Sequence, residues 1–263
     1  MITKQLIVYL LACMGLLACS ASSVTIEGKD GINRQKEYYL YGCQAGSLIP
    51  IASALIDSNG CFRLNVPLPQ EGFYLLGTEQ GVMHPFYLKG NETIRLRFQT
   101  NGMILEGEQT PENQALSQWE QAATLVREHA FLYERFGGGY STDPATFTQE
   151  LEDLLRVRQQ LKPEKATGNA TFNSLLKAKM EADVDFYALA YLQRNAGNLS
   201  DTIRLSNYYQ KMQPEKTLQQ PALLQLPYAG EMLRTYVWYK YGDPIELREA
   251  FKYKSTCLID STF

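Results

Sequence analysis

Asp57-Ser58-Asn59-Gly60-Cys61-Phe62-Arg63-Leu64-Asn65-Val66 carries a turn and a strand in succession. Asp and Asn side chains bond to nearby backbone, and Gly takes positive φ freely, so residues 57–60 turn the chain. In the next six residues Phe62, Leu64 and Val66 alternate with Arg63 and Asn65. Alternate side chains of an extended segment share a face, so the three apolar groups point to one side. The same rhythm occupies the neighbouring sequence. Strand-like stretches cover 24–28, 37–43 and 49–56 before it, and 73–76, 82–88, 93–98 and 103–106 after it. Pro50 marks an edge strand or a strand start, because proline donates no ladder bond. About eight short strands separated by turns predict an antiparallel β-sandwich over 24–109.

The period changes at Thr110-Pro111-Glu112. Thr is a helix cap, Pro fits the first helical position and Glu suits the first turn. Leu116, Trp119, Ala123, Val126 and Ala130 then recur at helical spacing, up to Gly137-Gly138-Gly139. Asp143-Pro144 opens a second helix carrying Leu151, Leu154, Leu155 and Leu161, and Pro163 stops it. A third covers about 171–195, with Phe172, Leu176, Met180, Val184, Tyr187 and Tyr191 on one stripe. Segments 200–212 and 221–241 read as further helices, and Asp243-Pro244-Ile245-Glu246 opens a last one. The fold class expected is α+β: a sandwich followed by an α-helical array over 110–263.

Ahead of the sandwich, Lys4 precedes an apolar run over 6–18. The run is shorter than the roughly 20 residues a spanning helix needs. It has the length of a signal-peptide core. It ends in Leu16-Leu17-Ala18-Cys19, which resembles the lipobox of bacterial lipoproteins. The resemblance implies removal of 1–18, a diacylglycerol on the Cys19 thiol and a tether over 19–23. Ser20-Ala21-Ser22-Ser23 has no aspartate at the second position after cleavage. Within that family this implies the outer membrane, facing the periplasm. More than one acyl chain makes such attachment stable.

A second resemblance lies in the β-rich half. The order Ile26-Glu27-Gly28, Ile56-Asp57-x-x-Gly60-x-Phe62, Gly72-x-Tyr74-x-Leu76, Leu88-x-Gly90-x-x-x-Ile94 and Leu105-x-Gly107 is similar to the N-terminal sandwich of TlpA-like thiol-disulfide lipoproteins. That family implies a scaffold ahead of a thioredoxin domain. No Trp-Cys-x-x-Cys loop occurs in this chain, so no residue here inherits redox chemistry from the family.

Composition points to a globular chain: 45% hydrophobic, 20% charged and 17 tyrosines. Disordered chains are poor in aromatics. Without Lys4 the chain has 24 basic residues against 28 acidic, a formal charge of −4. Nothing in that balance suggests nucleic acid, which requires a clustered basic face. After cleavage and lipidation, Cys43, Cys61 and Cys257 remain. Cys43 and Cys61 sit on predicted strands read as neighbours and are a candidate disulfide, with two buried thiols as the alternative. His84 and His129 have no second histidine or cysteine at metal-ligand spacing, so no metal or cofactor is expected. No serine has a nucleophile-elbow context, so no catalytic residue is expected. Asp183 stands at the edge of an apolar helical stripe, either as a buried acid or as a carboxylate that is solvated or paired with a basic neighbour. Tyr228, Tyr236, Trp238 and Tyr239 form a candidate interface or sugar-stacking platform, or else part of the core. Asp201-Thr202-Ile203 and Asp260-Ser261-Thr262 resemble an O-glycosylation sequon, placing the sugar on Thr202 and Ser261.

The functional expectation is a non-catalytic envelope lipoprotein that presents the sandwich–helix junction to a partner protein or ligand. The alternatives are a scaffold lacking its thioredoxin domain and a glycan-binding protein.

Overall fold

The computed structural model describes residues 22–31, 36–78, 83–99, 102–131, 142–195 and 207–242. The expected signal peptide, Cys19, Gly137–Gly139, Thr202, Cys257, Ser261 and the capping box at 243–246 lie outside the described residues.

Strands come first and helices follow. The strands are β1 Ser23–Asp30, β2 Glu37–Gln44, β3 Ser47–Leu55, β4 Cys61–Pro67, β5 Gly72–Gly77, β6 His84–Leu88, β7 Thr93–Gln99 and β8 Gly102–Glu106. They form two four-stranded sheets, ordered β4-β1-β7-β8 and β3-β2-β5-β6. Alternation decides which side chains face inward. Val24 and Ile26 of β1, Leu64 and Val66 of β4, and Ile94, Leu96 and Phe98 of β7 meet Tyr38, Leu40, Leu76, Phe86 and Leu88 of the second sheet in one apolar core. Tyr38 closes the core between two rings, with centroids 4.6 Å from Phe62 and 4.4 Å from Phe98. Gly28 lies opposite Phe62 in the ladder, and a Cβ there would come within 2.2 Å of the ring, so only glycine lets the ring cross β1. The sandwich is antiparallel except at its centre, where β1 and β7 run parallel. Pro50 does sit on an edge strand, β3.

The helices form a third layer. They are α1 Pro111–Phe131, α2 Pro144–Leu161, α3 Ala170–Arg194, α4 Asn207–Lys211, α5 Pro214–Leu218 and α6 Ala229–Tyr241, with 3-10 turns at Pro163–Lys165 and Pro221–Gln225. The expected helix over 221–241 is divided. Pro227 disfavours helical backbone at the residue before it, and Leu226 is extended at φ −98°, ψ 134°. Asp143 caps α2, its carboxylate accepting from the Ala145 and Thr146 amides at 3.0 and 3.1 Å. Asn169 does the same for α3, accepting from Phe172 at 3.0 Å.

The helices pack on the outer face of the β5–β6 side, so every residue of β5 is buried on one face or the other. Phe73 and Tyr87 point outward from the sandwich into the helical core, edge-on to Phe172 at 6.4 and 4.8 Å. β6 is an edge strand with unsatisfied backbone, and α1 fills that need. The Asn113 amide accepts from the Tyr87 N–H at 2.8 Å and donates to the Tyr87 carbonyl at 2.9 Å, as a neighbouring strand would. Beside it, Lys89 donates to the buried Glu112 carboxylate at 3.0 Å. The junction expected to be open to a partner is therefore filled by aromatic rings and paired polar groups.

Candidate functional site

α3 crosses the middle of the helical layer, and 17 of its 25 residues are buried. Only a narrow stripe through Ser174, Lys177, Glu181 and Asp185 reaches solvent, so polar residues off that stripe are enclosed. Lys179 and Asp183, one turn apart, are consequently both inside, with Asp183 fully buried. Lys179 Nζ donates to Asp183 Oδ2 at 2.9 Å. Two groups distant in sequence complete the carboxylate. Trp119 Nε1 of α1 donates to the same oxygen at 2.7 Å, and the Tyr228 hydroxyl, just before α6, donates to Oδ1.

The network continues onto α1. Lys179 Nζ lies 2.9 Å from Glu120 Oε1, an ion pair at an angle poor for a hydrogen bond. Arg127 donates to the other Glu120 oxygen at 2.6 Å. Burial alone would raise the Glu120 carboxyl, but Lys179 and Arg127 hold it below its ordinary range. Burial would lower the Lys179 ammonium, and Asp183 and Glu120 reverse that and hold it up. Burial, reinforced by Asp183, pushes the Tyr228 and Tyr187 hydroxyls far above theirs. Two carboxylates, Asp183 and Glu120, thus face two cations, Lys179 and Arg127. Such a network fastens three segments of chain together. It does not present a poised acid, base or nucleophile.

Asp183 is accordingly buried and paired with a base, and not solvated. Tyr228 is not an interface residue through its hydroxyl, because Asp183 draws that end into the core and Phe186 stacks on its ring at 5.3 Å. A similar device lies two residues further along α3, on another side of the helix, where Asp185 accepts from the Tyr208 and Thr217 hydroxyls at 2.7 and 2.5 Å.

The other candidates separate. Cys43 and Cys61 are free thiols, which corrects the expected disulfide. The turn at 57–60 does not join strands of one sheet. It carries the chain from β3 at the edge of one sheet to β4 at the edge of the other. Cys43 is opposite Leu48 in the second sheet and Cys61 opposite Lys29 in the first. Burial pushes the Cys43 thiol up, away from thiolate. His84 is half-buried and held neutral by desolvation, and His129 Nδ1 meets Glu150 Oε2 at 2.7 Å, tying α1 to α2. Among the described residues no group of three or more His, Cys, Asp or Glu could hold a metal. A shallow recess of about 500 Å³ on the first sheet is lined by Glu27, Leu55, Cys61, Arg63, Arg95 and Glu106. Its charges are spent on one another, with Glu27 3.6 Å from Arg63 and 3.1 Å from Arg95.

Tyr236, Trp238 and Tyr239 lie on α6, on the outside of the layer. The Tyr236 hydroxyl donates to Glu215 at 2.9 Å, Trp238 is half-buried, and Tyr239 is exposed. Leu224, Leu233, Tyr239 and Tyr241 are four of the eight exposed large apolar side chains among the described residues. Composition revealed the aromatics of this helix, but not Leu224, which lies on the 3-10 turn before it, with its carbonyl accepting from the Gly46 amide at 2.7 Å. No helix among the described residues is long and apolar enough to cross a membrane. No family model matches this chain, and no curated protein matches it.

Proposed function

We propose that the protein is a lipid-anchored envelope protein whose role is binding rather than catalysis. The observation that carries the anchor is the apolar run ending in Leu16-Leu17-Ala18-Cys19. The binding surface is the outer side of α6 with the preceding 3-10 turn: Leu224, Leu233, Trp238, Tyr239 and Tyr241. Its concentration of exposed apolar groups supports this, because isolated surface leucines need no explanation but a group of them marks a contact site. Aromatics with polar tips suit such a surface. The best-formed polar constellation of the described residues, around Asp183, is sealed and charge-balanced, which favours a structural role for it.

The intact mass of protein extracted from membranes, with thiols alkylated, tests the anchor. The expected mass is that of the chain from Cys19 onward plus acyl chains, and an unacylated mass would refute it. Leu233→Asn with Tyr239→Ser tests the surface. The pair should leave the unfolding midpoint within about 0.5 kcal/mol of wild type. It should also abolish site-specific photo-crosslinks placed at Arg234. Turnover of general hydrolase or thiol-oxidoreductase substrates by the purified protein would overturn the non-catalytic reading.

A further inference from the structure

The first described residues are clamped to one end of the sandwich. The Ser22 carbonyl accepts from the Leu68 amide at 2.8 Å, and the Ser23 carbonyl accepts from the Asn91 amide at 2.8 Å. Gly90, at φ +97°, lies directly against Ser22, and a Cβ there would come within 2.4 Å of the serine side chain. Ser22 is therefore held between the β4–β5 turn and the β6–β7 turn. The ladder puts more of the chain at the same end. Gly72 pairs with Leu88, and Gly42 with Tyr74, which sets the Ala45-Gly46 turn of β2–β3 at this pole too. β1 leaves this pole and reaches the other at Asp30, where Gly60 accepts from the Asp30 amide at 2.7 Å.

Only Ser20 and Ala21 lie between Cys19 and Ser22, so three steps along the chain join them. A fully extended residue spans at most about 3.6 Å, so the two Cα atoms lie within about 11 Å of each other. That is too short for a stalk. We infer that this pole of the sandwich, with Ser22, Leu68–Glu71 and Lys89–Glu92, is apposed to the lipid headgroups, and that the Asp57–Gly60 pole points away. β1 has eight residues, so the far pole stands roughly 25 Å further from the bilayer. The inference rests on the lipid-anchor reading and adds the orientation of the fold to it.

The test uses the full acylated chain in phosphatidylcholine vesicles containing a headgroup-attached quencher. Cys43, Cys61 and Cys257 are replaced by serine, Cys19 is retained, and a single fluorophore is placed through Gln70→Cys or Ser58→Cys. Quenching at position 70 should exceed that at position 58 several-fold. Equal quenching, or stronger quenching at 58, overturns the orientation. The mass of the same sample separates the two ideas. With no acyl chain the anchor reading itself fails and takes this one with it, whereas acylated protein with equal quenching sinks only the orientation. Hydrogen exchange on the unsubstituted acylated protein needs no cysteine variants. Vesicles should slow exchange at 70–71 and 89–90 more than at 58–59, and the reverse order would overturn the proposal.

Discussion

The sandwich and the helical layer solve the same problem differently. Strand alternation gives each chain segment an inside and an outside, so β1 can bury Val24 and Ile26 while Glu27 faces outward. The sandwich core is mainly apolar, with Tyr38 and Tyr74 among its members and the Asp30 carboxylate buried at the end of β1. α3 keeps only a narrow polar stripe toward solvent, through Ser174, Lys177, Glu181 and Asp185. Lys179 and Asp183 lie off that stripe and must be satisfied by Trp119, Glu120 and Tyr228 from other segments. One core therefore depends on shape and the other on pairing.

The largest effect should come from breaking the pairing. Asp183→Ala strands a buried ammonium, an indole N–H and a tyrosine hydroxyl together. Removing one partner of a buried pair typically costs about 3–5 kcal/mol. Urea unfolding of this variant, compared with the double replacement Lys179→Met with Asp183→Leu, separates pairing from packing. The double variant should recover a substantial part of the loss, and an equal loss in both would mean the charges are incidental.

Leu76→Ala in the sandwich should follow, at about 3 kcal/mol, because Leu76 is fully buried and leaves a cavity. It has no partner to restore, so no second substitution at a polar site should rescue it. At the boundary between the two cores, Asn113→Ala deprives both backbone groups of Tyr87 and should cost about 2 kcal/mol. Hydrogen exchange at the Tyr87 amide should accelerate in that variant ahead of the amides of β1.

The pH response distinguishes two carboxylates. Glu120 is held below its unfolded value, so its stabilisation is present above the ordinary carboxylate range and is lost as pH falls through the depressed folded value. Glu120→Gln should therefore destabilise at neutral pH, by on the order of 2 kcal/mol, and lose that effect in acid. Glu92 in the sandwich turn is raised by burial, against the pull of the Lys89 and Gly90 amides. Its contribution is greatest in acid and is lost as pH rises through its elevated value. Glu92→Gln should mildly stabilise the protein at neutral pH. Unfolding midpoints measured from pH 3 to 7 should give the two variants opposite slopes relative to wild type.

Residue patterns disclosed most of the architecture because its signals are local. Alternation around Phe62, the cap at Asp143, the change of period at Thr110-Pro111 and the break at Pro163 involve neighbours in sequence. The non-local parts were not legible. Nothing at 57–60 says that the turn crosses between sheets, so Cys43 and Cys61 looked adjacent and are in different layers. Asp183 stood out as a polar residue beside an apolar stripe, but its partners Trp119 and Tyr228 lie 64 and 45 residues away. The aromatic content of α6 was visible, yet only the packing showed that Tyr228 turns in while Tyr239 and Tyr241 face out.

The smallest effect sharpens the comparison most. The outer face of the first sheet has charges as well matched in sequence as those around Asp183. Glu27 is directly opposite Arg63 on one neighbouring strand and Arg95 on the other. The arginines, however, are 62% and 63% exposed. Water already solvates them, and holding long side chains in one geometry costs entropy, so exposed pairs contribute about 0.2–1 kcal/mol. Glu27→Ala should thus cost under about 1 kcal/mol in low salt, and less still at 1 M, where charges are screened beyond about 3 Å. Asp183→Ala should keep nearly its whole effect at either ionic strength. If Glu27→Ala were as damaging as Asp183→Ala, or Asp183→Ala as salt-sensitive as Glu27→Ala, burial would not be what distinguishes the two sets of charges.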